Sequence, residues 1–222
     1  MPVATGEFEN AIRLLQKYTA LVNDGNASAQ IYLERGNIHQ QLRMLEAALR
    51  DYDAALAADP PLDMAELASL YDNGNTCQRE LGRLEEAIAA GREAVRLSPE
   101  TADYHINLAA SRFGTRDYQG TLDNLDNALE LGADDPSLWS LRGWAHYRSG
   151  NFETALSDFN EAIDRDDDSE MYLGRGLVHH ALADEIAAQA DFDQYRELHP
   201  VSPEVASLEI ARHLASSPFA ED

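Results

Sequence analysis

The chain has almost no cysteine and almost no lysine. Cys77 is the only cysteine and Lys17 the only lysine. A single cysteine excludes an intrachain disulfide and a cysteine-rich metal site. The 17 basic residues stand against 40 acidic ones, which gives a net charge of −23. This charge argues against nucleic-acid binding and against docking on anionic lipid, because both need clustered positive charge. It favours a partner with basic residues.

Long apolar runs are also missing. No segment reaches the length that spans a bilayer, and residues 1–8 have neither the basic start nor the apolar run of a signal peptide. The sequence therefore predicts a cytoplasmic protein, although a secreted form without its leader would have the same features. Hydrophobic residues make up 44% and charged residues 26% of the 222 positions, which is typical of a folded protein with a sizeable core.

A repeating pattern organises almost the whole chain. Segments 32–37, 139–144 and 172–177 each begin with an aromatic residue, followed three and four positions later by Arg and Gly. A small residue opens every predicted second helix, at Ala11, Ala48, Ala87, Thr121, Ala155 and Ala188. These positions are 37, 39, 34, 34 and 33 residues apart. A period near 34 with such landmarks resembles the tetratricopeptide repeat, over residues 29–200 and a half-repeat at 7–22.

The resemblance implies an all-α fold, a right-handed superhelical α-solenoid of about five helix pairs. We expect a single domain over residues 1–222. An N-terminal helix or half-repeat lies in 6–28 and a C-terminal capping helix in 203–216. Between them the repeats are expected at 29–62, 63–99, 100–134, 135–168 and 169–202.

Small and aromatic residues within the repeats have a packing role. Gly and Ala let paired helices approach closely, and an aromatic ring fills the remaining space. The structural repeat positions are Gly36, Ala48, Tyr52, Gly74, Ala87, Gly143, Ala155, Phe159, Gly176, Ala188 and Phe192. The second repeat departs from this pattern, because Gly91 replaces the bulky residue of its second helix. Gly82 and Gly150 are predicted in the turns between paired helices, where a left-handed backbone favours glycine.

No spacing in the sequence matches a catalytic or metal site. His39, His146 and His179 occupy equivalent positions of three repeats, and stacked pairs would separate them by ~10 Å, too far to share one metal ion. Each is therefore predicted to be a half-buried ring with few polar partners in reach. The acidic stretch 164–170 starts like a calcium loop but lacks its glycine and its closing glutamate. Cys77 is predicted to be a small buried hydrophobe. We expect no enzyme activity, no metal and no cofactor.

The resemblance also implies a binding surface, because the first helices of the pairs line an inner groove in this family. The N-terminal half of this groove offers side-chain amides, and the C-terminal half offers aromatic and aliphatic side chains. The predicted peptide-binding groove comprises Asn37, Gln40, Gln41, Tyr71, Asn75, Gln78, Ile106, Asn107, Phe113, Leu141, Trp144, Tyr147, Leu173 and Leu177. For Trp144, a position in the groove and packing against a neighbouring repeat are both open.

Some members of this family hold a C-terminal carboxylate with Lys, Arg and Asn. Asn37 and Asn75 resemble the asparagine part of that arrangement. The basic part is absent, since the nearby positions hold Leu33, Asp72 and Asp103. We therefore expect no binding of that type.

The sequence thus predicts a non-enzymatic scaffold that binds a peptide segment or a protein partner in its groove. Its acidity favours a basic partner and excludes nucleic acid and membrane. One alternative is self-assembly into a homo-oligomer through the end helices, with Phe8, Ile12, Leu15, Leu208 and Leu214 in contact. Another is a chaperone-like protein that holds a secreted or unfolded client.

Overall fold

The computed structural model describes residues 2–25, 27–199 and 202–216, with only the backbone for residues 2–5 and 7. Within these ranges the secondary structure is entirely helical. The helices are α1 Pro2–Asn23, α2 Ala29–Gln41, α3 Leu45–Ala57, α4 Met64–Glu80, α5 Leu84–Leu97, α6 Ala102–Gly114, α7 Tyr118–Glu130, α8 Pro136–Arg148, α9 Phe152–Arg165, α10 Ser169–Ala181, α11 Glu185–Leu198 and α12 Pro203–Ala215. The predicted succession of paired helices is confirmed. None of these helices is long and apolar enough to cross a membrane.

The chain divides into two compact units, Met1–Thr115 with α1 to α6 and Arg116–Asp222 with α7 to α12. The boundary falls in the turn between α6 and α7, inside the third predicted repeat. In both units an even-numbered helix packs antiparallel to the odd-numbered helix that follows it, as in α2 with α3 and α10 with α11. We call the even-numbered helices from α2 to α10 first helices and their partners second helices. The expectation of one continuous domain stays a prediction.

Side chains cap the N-termini of several helices. The Asp63 side chain accepts a hydrogen bond from the backbone of Glu66, and the Glu66 side chain accepts one from the backbone of Asp63, a complete capping box. Asp135 caps α8 immediately before Pro136, which is favoured in the first turn. Ser202 likewise caps α12. These caps satisfy backbone N–H groups that have no partner within the helix.

Every turn between a first and a second helix contains one residue in the left-handed region. Gly82 and Gly150 have φ of 75° and 79°, so the expectation for these two turns is confirmed. The other three turns use Arg43, Arg116 and Ala183, with φ between 60° and 64°. A side chain disfavours this conformation, so these three turns are under local strain.

The core of the first unit forms where small and large residues meet across paired helices. A Cβ atom added to Gly36 would lie only 2.5 Å from Cε1 of Tyr52, so the ring packs directly on the glycine. Ala48, Leu70 and Cys77 lie in the same buried cluster. Gly36, Ala48, Tyr52 and Cys77 thus all take part in the buried packing of this unit.

The second repeat packs differently from the sequence expectation. Gly74 is buried, but no atom lies within 4 Å of a Cβ placed there, so it does not permit a close helix approach. The reason lies in α5, where Gly91 provides no bulky side chain to contact it. The space at Gly91 is taken by Asn75 and Leu108, whose atoms would lie 2.8 and 3.1 Å from an added Cβ.

In the second unit the Phe159 ring contacts two glycines. Its ring atoms lie 3.1–3.2 Å from a Cβ placed at Gly143 on its partner helix α8. The opposite contact is with Gly174 on α10, where an added Cβ would overlap the ring. Gly176 packs in the same way against Phe192. Each ring thus packs on a glycine of a first helix, and Gly174 is a further contact of this kind that is not among the predicted positions.

Candidate functional site

The most regular polar feature of the first unit joins α2 to α3. Asp51, only 3% exposed, accepts two hydrogen bonds from Arg35, at 2.9 Å from Nε and 2.5 Å from Nη2. His39 Nδ1 lies 2.8 Å from the same carboxylate. The expectation that His39 has few polar partners in reach is therefore wrong.

The second unit contains the same arrangement twice. Arg142 donates from Nε and Nη2 to Asp158, with His146 Nε2 at 3.9 Å from the carboxylate. Arg175 donates to Asp191 in the same way, and His179 Nε2 lies 3.9 Å from it. The sequence signal is an arginine four positions before the histidine, with the aspartate sixteen positions after the arginine.

The chemistry of these Arg–Asp–His clusters is structural. A carboxylate held by two guanidinium hydrogen bonds is a poor base and a poor nucleophile, whereas it fixes two helices in register. Burial lowers the pKa of His146, with Asp158 opposing the shift and Arg142 adding to it. Among residues 2–25, 27–199 and 202–216, no group of three His, Cys, Asp or Glu side chains could hold a metal ion.

The predicted amide patch of the first unit is largely engaged in internal hydrogen bonds. The Tyr52 hydroxyl lies 3.0 Å from both Asn37 Oδ1 and Gln40 Oε1. Asn37 Oδ1 also accepts a hydrogen bond from Asn73 on the next first helix. Asn107 donates to both carboxylate oxygens of Asp72, each at 3.0 Å. These amides connect successive repeats and are not left open for a ligand.

Asn75 lies inside the first unit, with none of its surface exposed. Its Nδ2 donates to the Ala87 carbonyl at 2.6 Å and to Ser111 Oγ at 2.9 Å. Its place in the predicted groove is therefore wrong, because the absence of a bulky residue at Gly91 draws the amide inward. Gln78 is half-buried, and its Oε1 is buried without a hydrogen-bond partner.

The remaining groove residues predicted in the first unit are more accessible. Gln41 is exposed, and Tyr71, Ile106 and Phe113 are half-buried. They therefore stay candidates for contact with a partner.

Asp72 is a titratable group that the sequence does not single out. Burial raises its pKa to about 6, and nearby Asp103 adds to this shift. The hydrogen bonds from Asn107 and the charge of Arg79 act in the opposite direction. A half-buried carboxylate of this kind is sensitive to mildly acidic pH.

Three groove residues predicted in the second unit are buried instead. Tyr147, Leu173 and Leu177 are 1–2% exposed and belong to one core cluster with Phe159. Helix α12 contributes Ala206 and Ile210 to the same cluster. Their assignment to the groove is wrong, because the aromatic ring between two glycines and the final helix enclose them.

The remaining two residues, Leu141 and Trp144, line a cavity of about 460 Å³ in the second unit. The less accessible part of its wall includes three apolar side chains, the half-buried Leu141 and Trp144 and the buried Met171. Its exposed residues include three acids. The full lining is Asp135, Pro136, Ser137, Ser140, Leu141, Trp144, Asp166, Asp168 and Met171.

Trp144 is held in place by its neighbours while it lines this cavity. Its ring meets Phe159 edge-on at 5.5 Å between centroids and Tyr147 at 6.0 Å. His213 of α12 lies 6.3 Å away. The two uses that the sequence leaves open, packing and a place on the open face, are thus combined in one side chain.

The three acids at the cavity differ in their hydrogen bonds. Asp135 accepts from the Ser137 backbone at 2.8 Å, and Asp168 accepts from the Glu170 backbone at 2.8 Å, so each caps a helix through one oxygen. Asp166 makes no side-chain hydrogen bond or ion pair with the rest of the described chain. None of the nine lining residues is basic.

Comparison with protein families gives matches to models described as tetratricopeptide repeat. One model matches residues 106–170 and 140–203, and another matches residues 29–61 and 67–101. Together these matches cover most of the chain.

Curated relatives share only part of their length with the chain. Hsc70-interacting protein 1 of Drosophila melanogaster is 32% identical over 93 residues, which are 41% of this chain and 25% of that protein. Tetratricopeptide repeat protein 16 of Homo sapiens is 26% identical over 135 residues, 60% of this chain and 15% of that protein. The chain therefore spans a quarter or less of these relatives.

Solved structures with the same fold cover much more of the chain. YrrB, whose structure is described as a TPR protein with an unusual peptide-binding site, has a TM-score of 0.68 at 21% identity, over 88% of this chain and 97% of that one. A MamA structure gives a TM-score of 0.66 at 18% identity, over 87% and 97%. Identities this low show a shared fold alone. With the family matches, they establish that this chain is a member of the tetratricopeptide repeat family.

Proposed function

We propose that this protein is a non-enzymatic interaction scaffold that binds a peptide segment of a partner on the second unit. The observation that carries the proposal is the cavity between α8 and α10, with Trp144 in its wall. Its volume of about 460 Å³ lies within the range of sites that hold small ligands or side chains. Aromatic side chains fixed by their neighbours are frequent anchors of interfaces, since they bury much area at little entropic cost.

The first unit is a weaker candidate for this role. Its amides are bonded to Tyr52, Asn73 and Asp72, so a ligand would have to displace those bonds. The free energy lost when an internal hydrogen bond breaks offsets most of the free energy gained from the hydrogen bond to the ligand. The second unit offers an apolar surface that is not already covered.

The names of the relatives support binding of proteins or peptides in general. Interaction with Hsc70 is named for the Drosophila proteins, and a peptide-binding site is named for YrrB. Both are properties of those proteins. In this chain Asn75 is fully buried and the acidic residues Asp72 and Asp103 lie near each other, which disfavours capture of a free C-terminal carboxylate. We therefore assign an internal segment of a partner as the ligand.

A peptide-display selection on the immobilised full chain tests this function. We expect a family of related segments to be enriched on the wild type and lost on Trp144→Ala. The matched control is Trp139→Ala, which removes the other tryptophan of the same helix without touching the cavity lining. Circular dichroism of both variants shows whether they fold.

Three outcomes separate the candidate functions. Related segments that depend on Trp144 support the proposal, and segments equally retained by Trp144→Ala contradict it. Unrelated apolar segments of many kinds would indicate the chaperone-like alternative. A Leu141→Ala variant, which shortens the cavity wall but leaves the Trp144 ring contacts in place, repeats the test if Trp144→Ala fails to fold.

Self-assembly is a second candidate, favoured by apolar side chains exposed on the end helices. Phe8 is 57% and Ile12 38% exposed on α1, and Leu208 is 71% exposed on α12. Leu15 and Leu214, the other expected contacts, are half-buried. Light scattering over a concentration series tests self-assembly. A molecular mass that rises with concentration in the wild type, and stays at the monomer value in Leu208→Glu, would support it.

A further inference from the structure

We propose that the cavity of the second unit selects a partner segment carrying an arginine or lysine next to an aliphatic residue. The inference rests on the proposed function and specifies its ligand. The cationic head would lie at Asp166 and the methylene stem along Trp144 and Met171. The neighbouring aliphatic side chain would contact Leu141.

The charges of the cavity complement a cationic ligand. Asp135, Asp166 and Asp168 line one cavity without any basic residue among the lining. Burial is the main cause of the raised pKa of their neighbour Glu170; the charge of Asp168 adds to this shift, and His199 and His213 oppose it. A cation entering the cavity reduces the repulsion among the three lining carboxylates.

The three carboxylates differ in their existing hydrogen bonds. Asp135 and Asp168 each accept a helix-cap hydrogen bond on one oxygen, which partly satisfies the carboxylate. The side chain of Asp166, two residues before Asp168, has no hydrogen-bond or ion-pair partner in the part of the chain that the structure describes. Asp166 is therefore the acid that gains most from a guanidinium or an ammonium group.

Part of the cavity wall is apolar. A bare inorganic cation would leave the accessible surface of Leu141 and Trp144 in contact with water, whereas a long basic side chain covers it with its stem. The indole face adds a cation–π attraction. The chain uses this contact elsewhere in the same unit, where the guanidinium carbons of Arg142 and Arg165 lie 4.6 and 5.1 Å from the Trp139 ring.

Fluorescence anisotropy with labelled synthetic peptides tests the inference. The probes are identical except for one central position between two leucines, which is arginine, lysine, glutamine or glutamate. We expect the two cationic peptides to bind about tenfold or more tightly than the glutamine peptide. We expect this preference to weaken as salt is raised, because screening reduces it.

The variant Asp166→Asn should remove most of the preference and leave the affinity for the glutamine peptide unchanged. The matched control is Asp123→Asn on α7, which removes one exposed negative charge of the same unit outside the cavity lining. If both variants reduce binding equally, the attraction comes from net charge and the assignment to Asp166 is wrong.

Failure of this inference differs from failure of the proposed function. Equal binding of the arginine and glutamine peptides, both lost in Trp144→Ala, would overturn the cation preference and keep the peptide site. Binding of the arginine peptide that survives Trp144→Ala would overturn both. No binding of either cationic peptide would overturn the inference, while the display selection decides the function.

Discussion

Arg175 of α10 and Asp191 of α11 form a two-point ion pair, with Nε 2.9 Å from Oδ2 and Nη2 2.7 Å from Oδ1. Only 7% of the Asp191 side chain is exposed. The same pair recurs as Arg35–Asp51 and Arg142–Asp158, which makes it a repeated connection between a first and a second helix. The second and third repeats have other residues at the positions of this arginine and aspartate.

Removal of this carboxylate is expected to destabilise the fold. In Asp191→Ala the partly buried guanidinium of Arg175 loses its carboxylate partner and keeps only its hydrogen bond to Asn160, at a cost of about 2–3 kcal/mol. The cost falls below that of a fully buried pair because 22% of the Arg175 side chain is exposed. Urea unfolding of Asp193→Ala is the control, since its pair with Arg196 lies on the surface and contributes less than about 1 kcal/mol. Equal losses in both variants would contradict a structural role for the pair.

Two glycines on first helices should respond to alanine with opposite sign. Gly174→Ala places a methyl group in the space of the Phe159 ring and should cost about 1–3 kcal/mol. Gly74→Ala meets no atom within 4 Å, so the better helix propensity should raise the free energy of unfolding by about 0.5–1 kcal/mol. Denaturant midpoints measure both. If Gly74→Ala lowers the free energy of unfolding instead, the result would support the close helix approach at Gly74 that the sequence predicts.

The left-handed turn at Ala183 offers a stabilising substitution. Ala183→Gly removes the steric cost of a φ of 60° but adds chain entropy to the unfolded state, for a net gain of about 0.5–1 kcal/mol. Gly150→Ala, at a φ of 79° in the corresponding turn, should lose a similar amount. Thermal unfolding of the pair is the measurement. A lower melting temperature for Ala183→Gly would show that the turn is not strained.

Asp72 should make stability depend on pH in the mildly acidic range. Its pKa is raised to about 6 from an ordinary value of 3.8, so the folded state binds the proton more tightly. The associated stability is present at low pH and is lost as pH rises from about 4 to about 6. Asp72→Asn should therefore gain on the order of 2 kcal/mol relative to the wild type across this window.

The measurement for Asp72 is the difference in unfolding free energy between variant and wild type at a series of pH values. Asn107 can still donate to the remaining oxygen, so the variant keeps one of its hydrogen bonds. Asp53→Asn, an exposed acid of the same unit, is the control and should change stability little. A difference that does not change between pH 4 and 7 would contradict the burial of Asp72.

Local signals account for the success of the sequence in predicting the helices. The caps Asp135–Pro136 and Ser202–Pro203 act within one helical turn, and the spacing of Ala155 and Phe159 defines one helix face. The recurrence of these signals in phase is what reveals the family. The spacing of the ion pairs also recurs: a histidine follows the arginine by four positions and an aspartate follows it by sixteen. This spacing could have predicted the ion pairs from the sequence.

The candidate site depends on distances that no local pattern contains. Trp144 and Leu177 have similar positions on successive first helices, yet Leu177 is buried and Trp144 lines a cavity. The difference arises because α12 joins the core cluster through Ala206 and Ile210 and encloses one residue but not the other. Asn75 is drawn inward by a glycine on another helix.

The helices, their pairing and the family can be predicted from the sequence, because helix caps, turns and apolar periodicity act between residues close in the chain. Which side chains remain open to a partner depends on how distant helices pack in the folded protein. Exposure depends on what packs from other helices, and a single glycine such as Gly91 or Gly174 changes which neighbour fills a given space. For the same reason the three acids around Trp144 become one site only when α8 and α10 lie side by side.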